Sequence, residues 1–130
     1  MEEDNIIKEK SFRFAVRIVK LNQHLRKSRR EFVLSKQLIR SGTSIGANVC
    51  EALQGSSKKD FINKLNISLK EANETEYWLR LLKETNIVNE KEFKSIHWDC
   101  REILRILTSI IKTSKNHEAK ESNQQKNVSY

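Results

Sequence analysis

Phe93-Lys94-Ser95-Ile96-His97-Trp98-Asp99-Cys100-Arg101-Glu102-Ile103-Leu104-Arg105-Ile106-Leu107-Thr108-Ser109-Ile110-Ile111 is the stretch that decides the fold class. Turned by about 100° per residue, Phe93, Ile96, Cys100, Ile103, Leu104, Leu107, Ile110 and Ile111 fall on one broad face. A strand would alternate instead, so this segment is an amphipathic helix. Asn89, with Glu92 three residues on, has the form of a capping box and sets its start. The apolar period carries the helix to about Lys115.

That apolar face needs a cover, and the rest of the chain offers more helix. There is no Pro and there are only 3 Gly in 130 residues, so little interrupts helical segments. A first helix is expected from about Ser11, a plausible N-cap, to about Arg26. A second follows from Arg30 or Glu31 to about Gln54, next to the stop signal Gly55. Ser56 or Ser57, with Asp60 in the first turn, opens a third that reaches about Thr85. Connections of a few residues turn each helix back on the one before. The expectation is an all-α, antiparallel up-down-up-down four-helix bundle over residues 11–115. Residues 1–10 read as an acidic N-terminal extension and residues 116–130, without apolar period, as a polar disordered tail.

The second helix carries a core line of Leu34, Leu38, Ile45 and Val49, flanked by Gly42 and Gly46. Glycine inside a helix costs about 1 kcal/mol against alanine, so two of them suggest close approach by another backbone. The first helix has two apolar stripes: Phe12, Ala15, Val16 and Val19, and separately Phe14, Ile18, Leu21 and Leu25. The third has a core stripe of Phe61, Leu65, Ser68, Leu69, Ala72 and Leu79, with Ile67 and Trp78 nearly opposite. A bundle gives each helix one interior, so the surplus apolar residues point to self-association, with a single wide buried face and a few exposed apolar residues as the alternative. Ile67, Trp78, Phe14 and Ile18 are the candidate interface residues.

The net charge of +8 is unevenly placed, because residues 11–40 hold nine Lys or Arg against Glu31 alone. Arg13, Arg17, Lys20, His24 and Lys27 recur at helical spacing as one basic ridge, which Arg29 and Arg30 extend into the turn. Such a ridge suits the phosphates of RNA or DNA, with affinity that falls as salt rises. Lys94, Arg101, Arg105 and Lys112 form a second ridge on the last helix, near Trp98, which can stack on an exposed base. Either ridge alone also reads as an ordinary solvated helix face.

In the second helix, Arg40, Ser44, Asn48 and Glu51 share one polar face. The segment Ile39-Arg40-Ser41-Gly42-Thr43-Ser44-Ile45-Gly46-Ala47-Asn48-Val49-Cys50-Glu51-Ala52, with its Ser-Ile-x-x-Asn-x-x-Glu spacing, resembles the signature of a known family. These are the small four-helix-bundle proteins encoded in intervening sequences of bacterial 23S ribosomal RNA genes. Ile67-Ser68-Leu69-Lys70-Glu71-Ala72-Asn73-Glu74-Thr75-Glu76-Tyr77-Trp78-Leu79 looks like that family's third helix, and the resemblance spans about residues 11–113. Cys50 and Ala52 depart from it, standing where Ala and Gly are more usual. The resemblance implies a bundle that assembles into a ring-like homopentamer. The related accessory variability determinant of diversity-generating retroelements is a basic pentamer that binds nucleic acid and a reverse transcriptase. Carried onto this chain, Arg40, Ser44, Asn48, Glu51, Glu71 and Glu74 are the motif's polar positions. They read as a network between helices or subunits, with direct ligand contact as the alternative.

Catalysis is not expected. The sequence has no phosphate-binding glycine loop, no His-Glu-x-x-His, no Cys-x-x-Cys and no nucleophile elbow. His24, His97 and His117 lie on separate segments without metal-ligand spacing, and no cofactor is implied. Cys50 and Cys100 each fall on an apolar helical face and read as buried, reduced thiols of a cytoplasmic protein. No apolar run reaches the roughly 18 residues of a membrane span, and the acidic Met1-Glu2-Glu3-Asp4 start lacks a signal-peptide core. The expected protein is a homo-oligomer, pentameric by resemblance, that binds RNA or DNA largely through phosphates. The rival is a scaffold whose ring organises another protein.

Overall fold

The computed structural model describes residues 2–128, and side chains as far as residue 124. Met1 of the expected extension and Ser129 and Tyr130 of the expected tail lie outside the described residues. The described residues form four helices: α1 (Glu2–Lys27), α2 (Val33–Leu53), α3 (Lys58–Glu84) and α4 (Glu90–Val128). Each packs against the next in sequence, and α1 closes against α4, which makes a helix bundle around one core. Cross-helix pairs run through the whole length. Asn22 meets Ser35, Ile18 meets Gly42 and Ser11 meets Gly46 between α1 and α2. Between α3 and α4, Lys83 meets Phe93, Glu76 meets His97, and Ala72 meets Cys100.

Three of the four helix starts have a visible cause. Ser57 accepts from the Asp60 amide at 3.1 Å and opens α3. Asn89 accepts from the Glu92 amide at 2.8 Å, while its own amide nitrogen donates to the Glu92 carboxylate. The second helix begins at Val33, a little later than expected, because the Glu31 carboxylate caps it by accepting from the amides of Leu34 and Ser35.

The second helix ends at Leu53, next to Gly55 as expected, without a left-handed glycine. No glycine has positive φ among the described residues; the left-handed positions are Arg30 (φ 55°) and Asn86 (φ 62°). Asn86 closes α3 in a Schellman motif, its amide bonding Lys83 O while the Ile87 amide bonds Leu82 O.

Two further departures concern the ends of the chain. The acidic residues of the expected extension form the first turns of α1, where Glu2, Glu3 and Asp4 sit at the positive end of the helix dipole. Ile7, 1% exposed, anchors them to the core. At the other end, α4 is helical through 116–128 where a disordered tail was expected. Its Lys, Glu, Gln and Ala residues are helix formers, and helix propagates cheaply from an ordered turn. A 3.0 Å pair between Lys58 and Glu121 ties this extension to α3.

The core holds the whole predicted α4 face, Phe93 through Ile111. On α2 it holds Leu38, Ile45 and Val49, with Leu34 half-buried at the edge. On α3 it holds Leu65, Ser68, Ala72 and Leu79, joined by Ile62, Thr75 and Leu82, while Phe61 and Leu69 are half-buried. On α1 the buried line is Ile7, Ser11, Phe14, Ile18, Asn22 and Leu25. Assigning Phe14 and Ile18 to a subunit interface is therefore corrected, because both fill the bundle's own interior. The stripe left outside is Phe12, Val16 and Val19, with Phe12 68% exposed.

Buried hydroxyls and an amide tie the helices together. Asn22 donates to Ser35 O at 2.6 Å, and Ser68 donates to Ile45 O at 2.8 Å. The Thr75 hydroxyl lies 2.9 Å from that of Ser41 and bonds the Glu71 carbonyl oxygen at 2.7 Å. Each sits at 0–6% exposure, where a slipped register would leave a polar group unpaired.

Candidate nucleic-acid interface

The basic ridge of α1 lies on its outer side, beside α4. Arg17 does not stand free on it. Its guanidinium donates to the Asp99 carboxylate at 2.5 Å, to Ser95 Oγ at 2.8 Å and to Ser95 O at 3.3 Å. Arg13 pairs with Glu9 one turn earlier, both well exposed. Such exposed i,i+4 pairs are worth only a few tenths of a kcal/mol, so a phosphate can displace the carboxylate. Lys20, His24 and Lys27 have no acid within ion-pair distance among the described residues, and all three are exposed. The ridge that reads as uninterrupted in sequence is thus partly neutralised by Glu9 and by an acid of another helix.

The α1–α2 turn is basic but ordered. Arg26 and Arg30 place their guanidinium groups 5.1 and 5.6 Å from the centre of the exposed Phe32 ring. Arg29 reaches the α3–α4 turn and donates to Asn86 O at 3.3 Å. Across the seam, α4 presents Trp98 at 70% exposure. Arg101 of the second ridge pairs with Glu76, which His97 also meets at 3.0 Å. Lys94 is only loosely opposed by Glu90 at 3.8 Å, and Arg105 and Lys112 have no acid in reach among the described residues. A cleft of about 540 Å³ opens where α1 and α4 meet, with Arg17, Lys20 and Lys91 around a floor that includes Leu21, Phe93 and Ile96.

The motif positions separate into parts. Arg40 of α2 bonds Glu71 at 3.3 Å and pairs with Glu74 of α3, and Glu74 also accepts from Trp78 Nε1 at 3.0 Å. This cluster bridges two helices of one chain. It also half-buries Trp78 against the core edge, so Trp78 offers less surface to a partner than the sequence suggests. Ser44 and Asn48 hydrogen-bond carbonyls of their own helix, and Glu51 pairs with Lys64 at 3.0 Å. That bond and the charge of Glu51 hold the Lys64 ammonium above its ordinary pKa. Ile67 is exposed, as an interface residue would be.

The two thiols differ. Burial pushes the Cys100 thiol up to about 12, and its Sγ donates weakly to Ala72 O at 3.5 Å. Cys50 is exposed, against the expectation that both are buried. It lies on the outward flank of α2, beyond the edge of the core line. No three His, Cys, Asp or Glu side chains converge to hold a metal ion among the described residues. No helix among them is long and apolar enough to cross a membrane.

The family model for the 23S rRNA-intervening sequence protein matches residues 3–109. The chain belongs to that family. A solved structure from Bacteroides thetaiotaomicron, described as a protein of unknown function from the S23 ribosomal protein family, is similar at 58% identity. The match covers 85% of this chain and 98% of that one, with a TM-score of 0.84. No curated protein matches. The family match takes in α1, α2 and α3 and most of the core-forming part of α4, ending before the helical extension.

Sequence reasoning did not find Asp99, Ser95 and Glu76 as the acceptors that take up Arg17 and Arg101. All three lie across a helix–helix seam from the cations they bind. Only the packing of α1 and α3 on α4 brings them into reach.

Proposed function

We propose that this chain is a non-enzymatic, homo-oligomeric bundle that binds RNA or DNA mainly through phosphate contacts on the basic face of α1, with the outer ridge of α4 as a second surface. One observation carries the reading. Lys20 and Lys27 on α1 are exposed cations without an acid in reach, and on α4 so are Arg105 and Lys112, which border the groove between α4 and α3. Positive charge concentrated on an exposed ridge releases counterions from a polyanion and so favours binding. The reading takes the bundle as up-down-up-down, in keeping with the opposed numbering of its cross-helix pairs. A cytoplasmic location suits its two unpaired thiols.

Self-association is supported by Phe12, Val16 and Val19, an apolar stripe on the outside of α1. A pentameric ring is the assembly that family membership favours. The same stripe also fits a second reading, a scaffold that docks another protein there and makes no use of nucleic acid.

The deciding experiment is a salt titration on mixed-sequence RNA and DNA, comparing wild type with Lys20→Ala/Lys27→Ala. The log–log slope should flatten by about one unit for each phosphate no longer bound, with weakening alike on all sequences. An unchanged slope would reduce the ridge to a solvated face and leave the scaffold reading in front.

A further inference from the structure

We infer that Trp98 is a stacking platform for an unpaired base, so that the α4 ridge selects single-stranded over duplex nucleic acid. The inference rests on the nucleic-acid reading above and narrows it. Tryptophan is highly buried on average, and its indole N–H usually finds a partner. Trp78 behaves so, packed on the core edge and donating to Glu74. Trp98 does the opposite, 70% exposed with no aromatic or cationic ring partner among the described residues.

Its surroundings define the partner. Lys94 lies one turn before it and Arg105 two turns after, on the same side of the helix, while Arg101 between them is paired with Glu76 at 3.2 Å. Phosphates either side of a stacked base would meet Lys94 and Arg105. Glu102, at the edge of this face, is already taken by Lys10 at 3.0 Å. Trp98 is also the one exposed large hydrophobic residue of α4 among the described residues. A subunit or protein interface would surround an anchoring indole with further apolar area, and here the neighbours are charged. In a duplex the faces of the bases are stacked on one another and closed to a convex helix. A single strand offers free faces, and stacking on an aromatic side chain tolerates any base.

The test uses the full chain with Trp78→Phe, so that Trp98 alone reports, titrated with oligo(dT) and with the oligo(dT)–oligo(dA) duplex at low salt. Oligo(dT) should quench the fluorescence and the duplex should leave it nearly unchanged. In the wild-type background, Trp98→Ala should weaken oligo(dT) binding by roughly 5- to 100-fold. The duplex affinity should stay the same. Trp98→Phe should recover most of the loss and Trp98→Leu should not. Equal recovery by Leu, equal weakening on both probes, or a changed molecular mass of Trp98→Ala by light scattering would each overturn the stacking role. If wild type binds neither probe at low salt, the phosphate-binding reading itself fails. If it binds both in a salt-dependent way and Trp98→Ala changes nothing, only the present inference falls.

Discussion

Arg17 and Lys20 stand one turn apart on the same ridge, and their surroundings give them different work. Arg17 is spent on Asp99 and Ser95, so it holds α1 to α4, while Lys20 faces solvent. Arg17→Ala should therefore lower stability by about 1 kcal/mol, discounted for its partial exposure, as read by urea denaturation. Lys20→Ala should leave stability within about 0.5 kcal/mol and act only on ligand binding. The cysteines make a second contrast. A thiol reagent should titrate Cys50 in the native protein and Cys100 only after unfolding. The raised pKa of Cys100 also has a definite sign. Its thiol ionises near 9 when unfolded and near 12 when folded, so its contribution is intact below pH 9 and is lost between pH 9 and 12. Replacing Cys100 by Val should remove that part of the alkaline decline in a denaturation series against pH.

Among the elements, the start and the buried face of α4 were legible, because that face is made of apolar residues without exception and its cap is a side-chain pattern three residues long. Its extension past Lys115 has no apolar period to show it. The first helix was less legible, for a reason that can be named. Its true core line includes Ser11 and Asn22, both buried, while the outer line of Phe12, Val16 and Val19 is wholly apolar. Periodicity finds both lines and cannot rank them, because the tie between Asn22 and Ser35 O exists only once α2 is in place. Two substitutions separate the lines: Phe14→Ala should cost about 3–5 kcal/mol by calorimetry or urea, whereas Phe12→Lys should leave stability nearly unchanged and reduce the assembled mass in light scattering. The close backbone approach expected at the two glycines of α2 is found only at Gly46, beside Ser11, whereas the neighbour of Gly42 is the Ile18 side chain. A methyl at Gly42 would lie 2.9 Å from two carbons of Ile18, which is fully buried and has no flexible end to give. Gly42→Ala should thus destabilise by about 1–3 kcal/mol despite the helix propensity it gains, seen as a lowered Tm. A methyl at Gly46 would lie 3.3 Å from Ser11 O, a milder crowding, and its Ala variant should fall near neutral.

At the scale of the molecule, the proposed oligomer makes the plainest wager. Light scattering at micromolar concentration should give a multiple of the 15.3 kDa chain mass, and a monomer would remove the ring from the proposal. The candidate site was half legible. Charge along a helix is written in the sequence, so the cations of α1 and α4 are legible there, as is Trp98 beside them. Which cations are already paired is a property of the seam between helices, and sequence spacing carries no record of it. The motif's polar positions show the same limit. Arg40 does join Glu71 and Glu74, but Ser44 and Asn48 turn back to their own helix.

The seam between α1 and α4 has a kinetic consequence as well. Three of the four pairings join helices adjacent in the chain, and only this one brings together distant parts. Local pairings close small loops and form early, so assembly should be fast, with α1 docking onto α4 as the late step. In the reverse direction the seam should part first, held as it is by Arg17 with Asp99 and Lys10 with Glu102 at a half-exposed surface. Amide hydrogen exchange in α1 should then outpace that in the buried turns of α2 and α3. A strand lying across both helices would act as a clasp, and slow that exchange from outside.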